Sequence, residues 1–301
     1  MAAPSGILLV DKPGGMTSHD VVARARKALD TRKIGHAGTL DPMATGLLVL
    51  GVGPATRLLT YIVGLDKTYE ATIRLGSSTD TDDAEGAQTS RADAAALAAV
   101  TPERVRAGVA ALTGTISQVP STVSAIKVGG RRAYELARAG KDVELSARTV
   151  TVSRFDLRDE RYAPEGIDLD VVVDCSSGTY IRALARDLGD ALGVGGHLTA
   201  LRRTRIGPLA VDGAPSVEAI GGEALRSAAD VAALVLGRVD VTADEARDLR
   251  HGKRLAGAAV RLADGAPRAA AIDPEGVLVG IVERRGDEVK SAMNLPPEEA
   301  A

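Results

Sequence analysis

The sequence predicts an α+β fold, because strand patterns of period two and helix patterns of period 3.6 both occur along its 301 residues. The stretches "YEATIRLG" and "GIDLDVVVDC" alternate apolar and polar residues, which is typical of strands with one buried face. The second stretch continues through a Ser/Gly turn into an amphipathic helix that begins near Ile181. A chain of this length can hold one large domain and a small one.

The N-terminal segment predicts a strand followed by a helix. "GILLVDKP" is a short apolar run that ends at a turn. Ser18 is predicted to cap the next helix, in which Val22, Ala25 and Leu29 share one face. The segment "RKIGHAGTLDPMATGLLVLGVG" then places several turn-forming glycines around one acidic residue, Asp41. A buried aspartate in such a loop needs a partner that offsets its desolvation.

Further elements follow through the middle of the chain. The alternation of its strand places Tyr69 on the apolar face. Thr101 is predicted to open a helix that Gly114 closes. In the strand that runs over 167–175, Cys175 lies on the apolar face, so we predict that it is buried rather than nucleophilic.

Arg182 lies in the first turn of the predicted helix at 181–192. A cation in that position is unfavourable for the helix dipole. We therefore expect Arg182 to have a specific anionic partner.

The last part of the chain predicts a small β-rich region. Thr242 is a predicted cap for the helix "ADEARDLRHG", and the turn 273–276 joins two short strands. We predict a large domain over 1–240 and a small domain over 241–301.

Charge is distributed unevenly, although the formal net charge is only −3. Three basic clusters predict a phosphate-binding face, and solvated helix and loop surfaces are the alternative reading of each cluster. The clusters are Arg24, Arg26, Lys27, Arg32 and Lys33; Lys127, Arg131, Arg132, Arg138, Lys141 and Arg148; and Arg202, Arg203 and Arg205. "DTDDAEG" is similar to a calcium loop, but its glycine comes one residue late, which favours a solvated acidic loop.

The single cysteine excludes an intramolecular disulfide framework and indicates a reducing, cytoplasmic setting. Four scattered histidines show no metal-ligand spacing, so no metal is expected. The N-terminus has no basic start, and no stretch approaches the roughly 20 apolar residues that a membrane helix needs. We predict a protein that is neither exported nor membrane-spanning.

Three stretches together resemble the signatures of the TruB family of pseudouridine synthases, which modify the T-loop uridine of tRNA. They are "GHAGTLDPMATGLL", "KTYEA" and "SSGTYIRALARDLG". The resemblance also covers "GILLVDKPGGMTSHDVV", "LGSSTDTDDAEG", "VPSTVSAIKVGGRRAYELARAG" and "GHLTALRRTRIG", in the same order over about the first 210 residues. It implies a mixed, largely antiparallel sheet with flanking helices, a central basic catalytic cleft and a small C-terminal β-rich domain of PUA type.

The resemblance also implies roles for individual residues. Asp41 matches the essential catalytic aspartate, Tyr69 the active-site tyrosine and Arg182 the basic residue paired with the aspartate. His36 matches a histidine that packs on RNA where the target base has been flipped out, and Leu201 matches a pocket-lining leucine. Residues 120–148 match an RNA-gripping insertion. The remaining residues that we expect to contact RNA are Lys127, Arg131, Arg132, Tyr180 and Arg202.

The chemistry suits these residue types. Uridine becomes pseudouridine when the N1–C1′ bond breaks, the base turns and C5 joins C1′, so no cofactor is expected. Asp41 could attack C1′ or C6, stabilise positive charge at the sugar, or remove a sugar proton. Arg182 would keep Asp41 ionised, and Tyr69 would offer the base a flat face and a hydroxyl near C5.

Three other functions fit parts of the sequence. The chain could be an RNA-binding or RNA-folding protein without catalysis, although Asp41, Tyr69 and Arg182 are all present. It could act on ribosomal or guide-directed RNA, but it lacks a long basic extension. A metal-dependent hydrolase is disfavoured because His36 and Asp41 have no third ligand nearby in sequence. We expect the T-arm of tRNA as the partner, and a monomer without an obligate protein partner.

Overall fold

The computed structural model describes residues 4–122 and 145–296, together with the backbone of 127–128 and 131–132. Its helices and strands confirm an α+β protein. The chain forms two compact units: residues 1–64 and 207–301 belong to the first unit, and residues 65–206 to the second. The domain boundary near residue 240 stays a prediction.

Helices are short, and α-helices and 3-10 turns both occur. The α-helices of the described residues are α1 Ser18–Ala28, α2 Leu59–Ile62, α3 Ala94–Ala98, α4 Pro102–Ala111, α5 Ile181–Leu192, α6 Ala228–Leu236 and α7 Ala243–Arg250. The 3-10 turns are Gly53–Leu58, Val217–Ala219, Gly222–Ala224 and Ala258–Arg261. Within the described ranges, none of the helices is long and apolar enough to cross a membrane.

Strands make up most of the regular structure. They are β1 Gly6–Lys12, β2 Ile34–Ala37, β3 Thr45–Val52, β4 Lys67–Leu75, β5 Ser77–Thr79, β6 Gln88–Arg91, β7 Gly114–Gln118, β8 Lys127–Val128, β9 Arg131–Arg132, β10 Arg148–Ala163, β11 Gly166–Cys175, β12 Gly196–Ile206, β13 Leu209–Ala210, β14 Arg238–Asp240, β15 Arg268–Ile272, β16 Leu278–Arg285 and β17 Glu288–Asn294. The predicted strands at the N-terminus, at Tyr69 and at Cys175 are confirmed.

In the first unit, β3 pairs antiparallel with β1 along one edge and with β2 along the other. Helix α1 packs on this layer through Val22, Ala25 and Leu29, which confirms their predicted shared face. Their apolar side chains meet those of β1 and β3, including Leu8 and Leu50. Burial of such a face provides most of the stability of a helix this short.

The predicted cap of α1 is wrong by one residue. The N-cap is Thr17, whose hydroxyl accepts from the backbone N–H of Asp20 while the Asp20 carboxylate accepts from the backbone N–H of Thr17. This reciprocal pair is a capping box with aspartate in the third position. Ser18 is the first residue of the helix and not its cap, and its hydroxyl bonds to the Leu40 backbone instead.

The C-terminal part of the first unit is the predicted β-rich region. Strands β14, β15, β16 and β17 form one sheet in that order, with β14 parallel to β15 and the other pairs antiparallel. Thr242 caps α7 as predicted, with Glu245 completing a capping box. The predicted turn between β15 and β16 is also present: Asp273 accepts from the backbone N–H of Val277 at 2.8 Å, and Gly276 has φ 81°.

In the second unit, antiparallel neighbours follow the order β12, β4, β11, β10 and β7. Strand β4 is central, since it pairs with β11 on one side and β12 on the other. Its alternate residues Tyr69, Ala71, Ile73 and Leu75 are buried, as the alternation predicts. The register places Tyr69 between Val173 of β11 and Arg203 of β12.

Helices α4 and α5 also belong to the second unit. Thr101 caps α4 as predicted, but the helix ends at Ala111 and Gly114 begins β7 instead of closing the helix. Helix α5 buries its predicted apolar face. Its residue Gly189 lies against the turn that leads into β12, and its carbonyl accepts from the backbone N–H groups of Val194 and Gly195 at 3.0 and 3.1 Å.

We predict that Gly189→Ala destabilises the protein, although alanine is the better helix former by about 1 kcal/mol. A Cβ atom at residue 189 would overlap the backbone of Gly195 and Gly196, which cannot move aside as a flexible side chain can. The free energy of unfolding in urea should fall by about 1–3 kcal/mol, the usual cost of overpacking. Gly64→Ala is the control, because no heavy atom lies within 4 Å of its Cβ position. Equal stability of the two variants would contradict the prediction.

Candidate active site

Asp41 lies in the loop between β2 and β3 of the first unit and is partly buried. The loop begins at Gly38, with φ 79°, and it is followed in β3 by Gly46, with φ 98°. Both values lie in the left-handed region that side chains avoid, which explains the glycines of the motif. Gly35 lies within β2 instead.

Two side chains fix the backbone on either side of Asp41. On one side, the buried Ser18 hydroxyl accepts from the backbone N–H of Leu40 at 2.9 Å and donates to its carbonyl at 3.2 Å. On the other side, Lys12 Nζ donates to the Pro42 carbonyl at 3.2 Å, and also to the carbonyls of Pro13 and Met16 at 2.9 and 2.7 Å.

Lys12 is fully buried at the end of β1. Its three carbonyl contacts match the three donors of an ammonium group, which offsets the desolvation of the charge. The sequence reasoning missed Lys12 and Ser18 as supports of the Asp41 loop. For Lys12, the available signal was a lysine at the end of an apolar strand. For Ser18, no signal was available beyond its position at the start of a helix.

His36 lies in β2, five residues before Asp41. Its ring meets the ring of His19, which lies in the first turn of α1, at 5.4 Å between centroids and an interplanar angle of 85°. This edge-to-face arrangement is a favourable geometry for aromatic rings. The first turn of α1 and the residues before the Asp41 loop are therefore in direct contact.

Tyr69 is buried in β4 of the second unit, opposite Val173 on β11 and Arg203 on β12. Lys67 lies two residues earlier on the same face and is also buried, with Nζ donating to the Leu65 carbonyl at 2.6 Å. Burial and the nearby charge of Arg203 lower the pKa of Lys67 to about 8. Two buried cationic side chains, Lys67 and Arg203, therefore lie next to Tyr69 in the sheet.

Arg182 has the anionic partner that its position in the first turn of α5 predicts. Its Nε lies 3.6 Å from an Asp83 carboxylate oxygen, and its Nη1 donates to the Thr81 carbonyl at 2.8 Å. Both side chains are at most 5% exposed. Asp83 in turn accepts from the Thr81 hydroxyl at 2.6 Å and the backbone N–H of Glu85 at 3.1 Å. Asp83 is a residue of this site that the sequence reasoning missed.

The interpretation of "DTDDAEG" as a solvated loop is wrong for its central carboxylates. Asp83 is buried on Arg182, and Asp82 lies 3.1 Å from Nη1 of Arg186, one turn further along α5. Asp82 also adopts a positive φ of 59°, a conformation that aspartate tolerates better than most residues. Acidic residues that are separated from a helix by about 100 positions cannot be assigned to its arginines from sequence spacing alone.

The remaining predicted residues of the second unit are placed on its strands and on α5. Tyr180 is the N-cap of α5, where the buried Gln118 amide accepts from its backbone N–H at 2.9 Å and donates to its carbonyl at 3.1 Å. Leu201 is buried in β12 opposite Ala71, and Arg202 lies opposite Glu70.

The RNA-gripping insertion falls largely outside the described residues. Strands β8 and β9 pair antiparallel within it, with Lys127 opposite Arg132 and Val128 opposite Arg131. The side chains of Lys127, Arg131 and Arg132 lie outside the described part of the chain. Their predicted contact with RNA stays a prediction.

The structure groups the predicted residues by unit. Asp41 and His36 lie in the first unit, and Tyr69, Arg182, Tyr180 and Leu201 lie in the second. The pairing of Asp41 with Arg182 stays a prediction. Among the described residues, no cluster of three or more histidine, cysteine or acidic side chains could hold a metal ion.

The architecture places this protein in the class that has the pseudouridine synthase fold. The structure is similar to that of an archaeal box H/ACA sRNP Nop10–Cbf5 complex, with a TM-score of 0.72 and 23% identity, covering 99% of this chain and 88% of that chain. It is also similar to an H/ACA RNP bound to a substrate RNA containing 2′-deoxyuridine, with a TM-score of 0.70 and 24% identity, covering 98% and 86%. The predicted mixed, largely antiparallel sheet with helices and a C-terminal β-rich domain is confirmed.

The chain belongs to the TruB family. A family model described as "TruB family pseudouridylate synthase (N terminal domain)" matches residues 26–181. A "tRNA pseudouridylate synthase B C-terminal domain" matches 182–232, and "tRNA Pseudouridine synthase II, C terminal" matches 236–296. The resemblance that the motifs indicate is therefore confirmed.

Relatives in actinobacteria cover nearly the whole chain. The tRNA pseudouridine synthase B of Leifsonia xyli subsp. xyli is 57% identical over 298 residues, which are 99% of this chain and 98% of that protein. The protein of the same name from Arthrobacter sp. strain FB24 is 54% identical over 304 residues, covering 97% of each. The Nocardia farcinica protein of that name is 54% identical over 295 residues, covering 97% and 94%.

We predict that Lys67 makes stability depend on pH. Its pKa in the folded protein is about 8, below the ordinary value of 10.5, so folding disfavours its charged form. Between these two values the unfolded chain holds more protons, and the Lys67 contribution to the free energy of unfolding therefore rises with pH. Wild type should gain stability relative to Lys67→Met as pH rises from about 8 towards 10.5, as measured by urea unfolding. A difference that does not vary with pH would contradict this.

We also predict that Ser18→Ala loosens the Asp41 loop. The substitution leaves the buried backbone N–H and carbonyl of Leu40 without the Ser18 hydroxyl, at a cost of about 1–3 kcal/mol in the free energy of unfolding. Hydrogen exchange at the Leu40 amide should accelerate. Ser153→Ala removes one exposed hydrogen bond to Asp174 and serves as the control. Unchanged protection of the Leu40 amide would show that Ser18 does not hold the loop.

Proposed function

We propose that this protein converts the T-loop uridine of tRNA, position 55 in tRNA numbering, to pseudouridine. The observation that carries the proposal is the membership in the TruB family together with an intact set of Asp41, Tyr69 and Arg182. Relatives more than 50% identical over nearly the whole chain are named tRNA pseudouridine synthase B. Their tRNA substrate is the substrate that we assign to this chain.

The reaction is an isomerisation in which atoms balance within the nucleotide. The target base first leaves its stack, at a cost of a few kcal/mol. The N1–C1′ bond then breaks, the base turns and C5 bonds to C1′; the proton on C5 is lost and N1 gains one. Because nothing is added, oxidised or reduced overall, the chemistry requires no cofactor.

Asp41 is proposed as the catalytic carboxylate. Ser18 and Lys12 support this role, because they fix the backbone on both sides of Asp41 and so limit the positions of its carboxylate. The carboxylate could attack C1′ or C6, stabilise positive charge at the sugar, or remove a sugar proton. Each of these roles needs a carboxylate held against the nucleotide.

Arg182 is proposed to pair with Asp41, and Tyr69 to offer the base a flat face and a hydroxyl near C5. Asp83 supports the role of Arg182, because a buried carboxylate 3.6 Å from Nε restricts the orientation of the guanidinium. The location of Tyr69 on a central strand similarly limits its motion. Sites carried by strands are more rigid than sites carried by loops.

RNA recognition is proposed for further residues. His36 would occupy the space that the flipped base leaves, and Leu201 would line the pocket that receives the base. A ring in edge-to-face contact with His19 is well oriented for stacking. The other proposed RNA contacts are Lys127, Arg131, Arg132, Tyr180 and Arg202.

We further propose that the protein acts as a monomer in the cytoplasm and has no obligate protein partner. A single, buried cysteine with a pKa raised by burial to about 11 is consistent with a reducing compartment, because it forms no intramolecular disulfide. The small C-terminal domain is proposed to be of PUA type.

Purified protein incubated with unmodified tRNA transcript and EDTA should form pseudouridine at one site, in the T-loop. Asp41→Asn should lower the rate of formation at least a hundredfold, roughly the contribution of a catalytic acid or base, while binding of the transcript persists. Asp212→Asn is the matched control, because Asp212 is an exposed aspartate of the same unit. Pseudouridine would be mapped by reverse transcription after chemical derivatisation.

Three results would count against the proposal. Undiminished turnover of Asp41→Asn would remove Asp41 from the catalytic role. Loss of activity in EDTA would favour a metal-dependent reaction. Binding without any product in the wild type would favour an RNA-binding protein that lacks catalysis.

A further inference from the structure

Helix α1 and strand β2 lie side by side in the first unit, running in opposite directions. Near the start of α1, the His19 ring meets His36 in β2. Near its end, Arg26 Nη2 donates to the carbonyl of Ile34, the first residue of β2, at 3.1 Å. The two contacts define a continuous surface that has histidines at the end near the Asp41 loop.

The other end of this surface is basic. Lys27, Arg32 and Lys33, which we call the basic strip, are exposed in the last turn of α1 and in the turn that leads to β2. Asp30 is the carboxylate of that turn, and it is also exposed. Within the described part of the chain, none of the three cations forms a salt bridge with a carboxylate.

Other exposed cations of the same unit, in contrast, have partners within the protein. Arg24 lies 3.3 Å from a Glu218 carboxylate oxygen, and Arg26 is engaged by the Ile34 carbonyl. In the C-terminal part of the same unit, exposed cations such as Lys253 and Arg254 pair with Asp248 and Glu288 at 2.8 and 3.1 Å. The basic strip is therefore a set of cations with charge available for an external anion.

We propose that the basic strip binds the phosphate backbone of the RNA substrate near the target nucleotide. The inference rests on the proposed function and extends it to a second region of the RNA. Lys33 and His36 are three residues apart, and a strand rises about 3.3 Å per residue, so their backbones are about 10 Å apart. That length corresponds to about three nucleotides of a stacked strand. An RNA strand whose target base is at the Asp41 loop can therefore contact the basic strip within about three nucleotides of that base.

The test measures how binding depends on salt. Each lysine or arginine that contacts a phosphate contributes about 0.7 to the slope of log affinity against log salt concentration on single-stranded nucleic acid. We expect the combined variant Lys27→Gln/Arg32→Gln/Lys33→Gln to lose about 2 from this slope with unmodified tRNA transcript. Affinity should be measured between about 50 and 200 mM salt.

The matched control is Arg106→Gln/Arg158→Gln/Arg161→Gln. It removes the same number of positive charges, but each of these arginines has a carboxylate partner, namely Glu103, Asp156 and Asp170. The control should keep the wild-type slope. Cooperative unfolding in urea would establish that both variants are folded.

The outcomes separate this inference from the proposed function. If the wild type forms pseudouridine and both variants keep its slope, the basic strip is an ordinary solvated face and the inference is wrong. If both variants lose the same slope, net charge rather than the strip is responsible, which also overturns it. If the wild type binds tRNA without forming pseudouridine, the proposed function fails whatever the slopes are.

Discussion

The cost of burying charge is the constraint on which the rest of the structure depends. Lys12 and Arg182 are both withdrawn from water, and an isolated ion in that environment would be strongly unfavourable. Lys12 meets three backbone carbonyls, one of which belongs to the residue after Asp41. Arg182 meets the Asp83 carboxylate and the Thr81 carbonyl. Each buried cation therefore ties a loop to a regular element.

The same constraint explains the rigidity of the candidate site. Removing one partner of a buried ion pair costs about 3–5 kcal/mol, so the loop that carries Asp83 cannot move away from Arg182 without a large loss of stability. Movement of the Asp41 loop would likewise deprive the buried Lys12 ammonium of the Pro42 carbonyl. Ser18 adds two hydrogen bonds on the other side of Asp41. A catalytic carboxylate that must meet one atom of a nucleotide benefits from this restriction, because small displacements of reacting groups slow reactions strongly.

Local patterns predicted much of the fold and of the candidate site. Alternation placed Tyr69 and Cys175 on buried faces, and the helix dipole argument required an anion near Arg182. Local patterns failed where a side chain could form either of two hydrogen bonds. Ser18 has the residue type of a helix cap, but Thr17 precedes it with an equally good one, and the hydroxyl of Ser18 bonds to Leu40 instead.

The sequence by itself determined strands β1, β4 and β11, the starts of α4, α5 and α7, the family and the identities of the residues proposed for chemistry, because these depend on residue types and spacings within one segment. Only the tertiary structure decided which distant groups meet. The Asp83–Arg182 pair and the bonds from Lys12 and Ser18 to the Asp41 loop join residues 99, 30 and 22 positions apart. Such pairs form because the folded chain excludes water from both partners at once, and no local pattern records which partners will share that environment.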